Sequence, residues 1–275
     1  MSEKNQEGKR TARDRLVERR EQEKARERRR RALIVSAAVV GVLALAAVIG
    51  VIAANSGGKG NKASESGPAV APSGATGKDS LVIQVGADDA PSTLTVWEDF
   101  RCPVCAQFEN AFRDTIHELE NTGQIKVQYH LVTLIDGNLG GTGSLDAANA
   151  AACAQDVGKF SAYHDVLYRN QPPETDDAFG KSSKLIDLAG KVPGLDTPAF
   201  RSCVEDGTHN TWVQKSHAAF QSGGFGGTPT ALLNGESIFP KKGTEPITAA
   251  NLKKWVAEAN KGKRPAKVTP SPSVS

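Results

Sequence analysis

The stretch "EDFRCPVCAQFENAF", residues 98–112, decides the fold. Two cysteines, Cys102 and Cys105, lie three positions apart where a β-type run, "STLTVW" (92–97), gives way to a helical pattern. Beyond Pro103, the apolar residues Val104, Phe108, Phe112, Ile116 and Leu119 recur at helical spacing, with Ala111 and Thr115 filling in. That periodicity predicts an amphipathic helix over 103–121. "IKVQYHLVTL" (125–134) predicts a following strand and completes a β-α-β unit, while "SLVIQVG" (80–86) predicts a strand before it.

Further along, the pattern is helical over about 143–222, through "SLDAANAAACAQDV", "GKFSAYHDVLYRNQ", "SSKLIDLA", "TPAFRSCVEDG" and "HNTWVQKSHAAFQSG". Ser144 and Thr197 read as helix caps, the latter with Pro198 at the first helical position. Strands return in "ALLNG" and "ESIFP", joined by the hairpin signal Asn234-Gly235, and "ITAANLKKWVAEAN" (247–260) predicts a last helix. This order implies one α/β sheet interrupted by an all-helical insertion, within a domain over 80–262.

A Cys-x-x-Cys pair supports three chemistries. A zinc site needs four ligands, and the lone cysteines at 153 and 203 do not give paired-knuckle spacing. A static disulfide over so short a loop stabilises little. A redox pair suits the position: a cysteine capping the helix that starts at Pro103 has its sulfur at the positive end of the helix dipole, which favours thiolate over thiol. Pro103 fits the first turn, where its missing N–H has no intrahelical partner to lose. Cys102 is then the exposed nucleophile and Cys105, one turn in and more buried, the resolving group. Cys153 and Cys203 fall in two helices of the insertion, where a bridge closes a loop of about 50 residues and contributes at most about 4 kcal/mol. The histidines 117, 130, 164, 209 and 217 show no metal-ligand spacing, and His164 reads as a packed or capping residue.

The N-terminal part has a different character. Residues 1–31 hold 13 Lys+Arg and 7 Asp+Glu, a net +6 against +3 for the whole chain, so residues 32–275 carry −3 and nucleic-acid binding is not expected. Residues 32–54 are 23 positions without a charge. At 1.5 Å per residue they span roughly 34 Å, enough for a hydrocarbon core of about 30 Å. Arg28, Arg29, Arg30 and Arg31 abut this segment, so a transmembrane helix is expected over 32–54 with residues 1–31 cytoplasmic and the rest outside. Residues 55–79 read as a flexible linker and 263–275 as a disordered tail.

Taken together, "WEDFRCPVCAQFE", "GGTPTALLNG" and "DAANAAACAQDVGKFSAYHDVLYRNQ" resemble the DsbA-like thioredoxin-fold protein-disulfide oxidoreductases, including membrane-anchored bacterial members, over about 80–260. The resemblance implies a thioredoxin-like fold with an inserted helical subdomain. It makes Cys102 and Cys105 the catalytic pair, with Pro229 cis beside Cys102 and Thr228 offering backbone hydrogen bonds to an extended substrate. It also makes Cys153 and Cys203 a structural disulfide of the kind found in some relatives. Glu98, Asp99, Pro103 and Val104 are the residues expected to tune the pair. Val96 stands where many members carry a buried Glu, and Glu98 or Asp99 is the nearest acid to replace it. No cofactor and no metal is expected.

The function expected is extracytoplasmic thiol–disulfide exchange that introduces disulfides into reduced secreted or cell-surface proteins. The partners expected are those proteins, the lipid bilayer through residues 32–54, and a membrane redox protein that reoxidises the pair. Two alternatives stay open: a reductase or isomerase with the same site, and a membrane-tethered peptide-binding or chaperone module with structural cysteines.

Overall fold

Strand β2 (Ser92–Glu98) runs parallel to β3 (Ile125–Leu131), joined by helix α1 (Pro103–Asn121), and this β-α-β unit is the frame of the domain in the computed structural model. The structure describes residues 68–268; the segments at 1–31 and 32–54, the linker up to 67 and the last residues of the tail lie outside them. Among the described residues no helix is long and apolar enough to cross a membrane.

β1 (Ile83–Val85) adds antiparallel to β3, and the hairpin β4 (Thr230–Leu233) and β5 (Glu236–Ser237) adds antiparallel to β2. The five strands lie in the order β1-β3-β2-β4-β5, the thioredoxin-like arrangement the resemblance implies. Asn234 and Gly235 both take positive φ at the hairpin turn, a conformation Asn and Gly adopt most readily. Register fixes the two faces of the sheet, because side chains alternate with period two. Leu94, Val96 and Glu98 lie level with Val127, Tyr129 and Leu131 on one face, whereas Trp97 lies level with His130 on the other. The latter two rings stack with centroids 3.7 Å apart.

Between β3 and β4 lie six helices: α2 (Leu134–Leu139), α3 (Gly143–Asp156), α4 (Phe160–Arg169), α5 (Ser182–Ala189), α6 (Pro198–Glu205) and α7 (Asn210–Ser222). The insertion therefore begins at Leu134, ahead of the expected 143, because β3 ends at Leu131 and "LIDGNL" forms a short helix. α3 is buried through an almost unbroken run of alanines, whose small side chains let several helices approach it closely. Thr197 caps α6, accepting from the Phe200 N–H. Ser144 does not cap α3. It lies inside the first turn, where the Asp136 carboxylate accepts from the Ser144 and Leu145 N–H groups and Asp177 accepts from those of Thr142 and Gly143. A small second sheet, β6 (Lys241–Lys242) with β7 (Glu245–Pro246), precedes the closing helix α8 (Ala249–Ala259).

Two termini of the domain are more tightly held than composition indicates. Residues 68–79, expected as linker, lie on the insertion: Val70 O accepts from His209 Nδ1, Ser73 N donates to Asp156, and Gln155 donates to Ser73 O. Ala69 and Ala71 pack on the core there. Of the expected tail, Ala266 is buried and its N–H donates to Gly123 O, an approach that a Cβ at Gly123 would block.

Candidate active site

The candidate site is built where β2 ends. The turn after Glu98 closes with the Cys102 N–H donating to Asp99 O, and Cys102 becomes the N-cap of α1 with Pro103 at its first position. Thr228 and Pro229 approach from the loop before β4, which pairs with β2. The Thr228–Pro229 peptide bond is cis, as is Phe239–Pro240. Cys102 Sγ lies 3.4 Å from the Thr228 carbonyl oxygen.

Cys102 and Cys105 are free thiols in this structure. Both are buried, which corrects the expectation of an exposed nucleophile: Cys102 retains 5% of its surface and Cys105 none. The asymmetry between them is nonetheless electrostatic as well as steric. The Cys102 pKa is lowered to about 6, first by a hydrogen bond from Cys105, then against burial by the Thr228 hydroxyl and the N–H groups of Cys105 and Val104. The Thr228 hydroxyl is buried and makes no hydrogen bond of good geometry. The Cys105 pKa is pushed well up, first by burial and then by its hydrogen bond to Cys102. The lower proton affinity thus falls on Cys102 and the higher on Cys105, the polarity that stepwise thiol–disulfide exchange uses. Val104, between them, is exposed and brings no charge.

The insertion reaches back to hold this loop. Gln171 Nε2 donates to the carbonyls of Phe100 and Cys102 at 2.8 and 3.0 Å. Arg101, buried, bonds to Asp136 at 2.6 Å, lies 3.0 Å from Asp177, and donates to the Gly140 and Glu174 carbonyls. Asp99, also buried, accepts from the N–H groups of Arg101 and Ile135. Burial pushes its pKa up to about 7 against those two bonds.

Glu98 is not in the cleft but beneath it, fully buried, with Oε1 2.7 Å from His164 Nε2 of α4. Burial works against a charge on His164, yet Glu98 and Asp165 raise its pKa to about 10. Glu109 of α1 is buried beside them, and burial followed by the Glu98 charge pushes its pKa up to about 8. Glu98, Glu109 and His164 bring donor atoms within 4.8 Å of one another, spacing that could suit a metal. The ring nitrogen that His164 would offer, Nε2, is already engaged by Glu98 Oε1. Sequence reading treated His164 as packing and did not single out Glu109, Arg101 or Gln171. The available signal for Glu109 was a charge at position i+4 from Cys105, on the apolar stripe of α1.

Cys153 and Cys203 are disulfide-bonded, joining α3 to α6. Asn149 reinforces the junction by accepting from the His209 N–H and donating to the Cys203 and Val204 carbonyls. A separate cavity of about 1060 Å³, floored by Trp97 and His130, contains neither Cys102 nor Cys105.

Three comparisons bear on this geometry. The family profile described as thioredoxin matches residues 78–258. The chain is similar to the probable disulfide bond formation protein D of Bacillus cereus, 26% identical over 160 residues, covering 57% of this chain and 71% of that one. It is similar in structure to the oxidised DsbA of Mycobacterium tuberculosis, with a TM-score of 0.54 and 25% identity over 65% of this chain and 92% of that one. It also shares the fold of oxidised BdbD from Bacillus subtilis, with a TM-score of 0.56 and 22% identity over 71% of this chain and all of that one.

Proposed function

This chain belongs to the thioredoxin family as a DsbA-like thiol–disulfide oxidoreductase, and from that premise we propose that it introduces disulfides into secreted or cell-surface proteins through Cys102 and Cys105. The observation that carries the reading is the opposite polarisation of the two sulfurs at the start of α1, with Cys102 against the Thr228 carbonyl.

In the oxidising direction a substrate thiolate attacks Cys102 Sγ of the Cys102–Cys105 disulfide. Cys105 leaves with the electron pair and takes up a proton. A second substrate thiolate then attacks the substrate sulfur of the mixed disulfide and Cys102 leaves as thiolate, the form its surroundings favour. The substrate has lost two electrons and the enzyme has gained them; a membrane redox partner takes them on. Thr228 stands beside Cys102 with its backbone available to an extended substrate.

The domain acts outside the cytoplasm, anchored by residues 32–54 with the arginine-flanked end inside. The charge-free length of that segment and the Arg28 to Arg31 run support this placement.

The test is the reduction potential of the Cys102/Cys105 couple, measured on the full-length chain in detergent against graded thiol buffers. A value towards about −120 mV supports disulfide donation; a value near about −270 mV reverses the direction to reduction.

A further inference from the structure

Residues 223–227 read "GGFGG" and lead straight into Thr228. Such a run is costly to order, because glycine gives up more backbone freedom on folding than any other residue. α7 ends at Ser222, and its hydrogen bonding runs out with the Gly223 and Gly224 N–H groups. Phe225 carries the only side chain between that helix and Thr228. Its ring packs on Trp97, with centroids 5.2 Å apart and planes tilted by 40°, and on Phe220 of α7 at 5.6 Å. Gly223 permits this approach, since a Cβ there would come within 2.6 Å of the Phe225 ring. The contact is an open one. Phe225 is half-buried and shares with Trp97 the wall of the cavity of about 1060 Å³, so ring packing rather than enclosure holds it.

Trp97 is a firm partner, because His130 stacks on it with planes 11° apart. It also sits where the two halves of the site meet. In β2 it pairs with Thr230 of β4, and the chain beyond it turns directly into Cys102. Thr230 Oγ1 donates to Gly227 O at 2.7 Å and so closes the loop from the far side. Thr228 and Pro229 are therefore gripped from both ends, by Phe225 before them and Thr230 after them, and both grips bear on Trp97.

We propose that Phe225 is a positioning residue for the exchange reaction: by docking the glycine loop on Trp97 it holds Thr228 against Cys102, so that the reacting sulfur and the backbone that receives the substrate are located from one strand. Without the ring, the run from Gly223 to Gly227 has no side chain to anchor it, and the 3.4 Å approach of Thr228 O to Cys102 Sγ is held from β4 alone. Phe225 acts through Thr228 and is not itself a catalytic residue.

This inference rests on the oxidoreductase reading, so the test keeps the two apart. Oxidation of a dithiol peptide by the full-length chain in detergent is measured with glutathione disulfide as terminal oxidant, and the Cys102 titration is read separately from alkylation rate against pH in the reduced protein. Phe225→Ala is expected to lower kcat/KM by about 10- to 10²-fold, chiefly through KM, because the displaced backbone binds the substrate less well. Its Cys102 midpoint is expected to move up from about 6 as the Thr228 hydroxyl leaves with the loop. Phe225→Tyr keeps the ring and is expected to restore both. Val213→Ala, a cavity in the buried face of α7, is expected to lower the urea midpoint while keeping KM and the titration. A wild-type KM and midpoint in Phe225→Ala overturns the positioning role, as does an equal change in Val213→Ala. A wild-type chain that does not oxidise the peptide overturns the oxidoreductase reading, and the titration still decides the role of Phe225. Should Phe225→Ala not fold, Phe225→Leu is read in the same two ways, with a smaller change in the same direction expected and wild-type values overturning the role.

Discussion

Cys102 Sγ lies 3.4 Å from the carbonyl oxygen of Thr228, a residue 126 positions away. The same residue's hydroxyl is buried without a hydrogen bond of good geometry, and its proximity helps to lower the Cys102 pKa. Thr228→Val keeps the shape and removes that donor. The Cys102 titration, followed by alkylation rate against pH in the reduced protein, is expected to move up from about 6. An unmoved midpoint shows that the hydroxyl does not reach the sulfur.

Cys102→Ser is expected to abolish exchange, whereas Cys105→Ser is expected to accumulate mixed disulfides on Cys102, seen as adducts by mass spectrometry. The double Ser variant separates catalysis from binding. If it keeps the chain's activity in cells, the cysteines are structural and the domain is a binding module.

Reduced and oxidised forms are expected to differ in stability with pH. The folded pKa of Cys102 is lowered to about 6 from an unfolded value of roughly 8.5. The thiolate's contribution is therefore complete above the unfolded value and lost as pH falls through about 6. At pH 7 it amounts to about 1.4 kcal/mol in favour of the reduced form, absent from the oxidised one. Urea midpoints of both forms at pH 5 and pH 8 check this: the reduced form gains relative to the oxidised form at pH 8, and equal shifts refute it.

The disulfide between Cys153 and Cys203 closes a loop across 50 positions in the insertion. The Cys153→Ala/Cys203→Ala variant is expected to lose up to about 4 kcal/mol of stability while its isolated active-site pair keeps its reduction potential. A shifted potential shows that the bridge also positions the loop held by Gln171.

Arg101 ties the active-site loop to the insertion through Asp136, Asp177 and two carbonyls. Arg101→Ala leaves Asp136 charged and largely buried, and is expected to cost about 3–5 kcal/mol in thermal or urea unfolding. A loss below about 1 kcal/mol shows that the pair is solvated in solution.

Much of the site was legible in the chain because its elements are local. A helix from Pro103 to Asn121 follows from apolar spacing and from a proline that suits a first turn, and the structure ends it within a residue of that reading. The hairpin at Asn234-Gly235 follows from two residues that tolerate positive φ. Val96, with no acid to offer, is simply core against Tyr129. The linker and the tail were less legible, because a few apolar residues such as Ala69, Ala71 and Ala266 find partners that composition does not reveal.

By itself the sequence determined the order of elements, the position of the two cysteines at a helix start and the spacing that leaves one of them one turn inside. These depend on backbone geometry over a few residues. Only the tertiary structure decided that Thr228 meets Cys102, that Gln171 and Arg101 brace the loop, and that Glu98, Glu109 and His164 converge behind Cys105. Those outcomes depend on which distant elements share a buried space, where low dielectric turns neighbouring charges into shifted proton affinities.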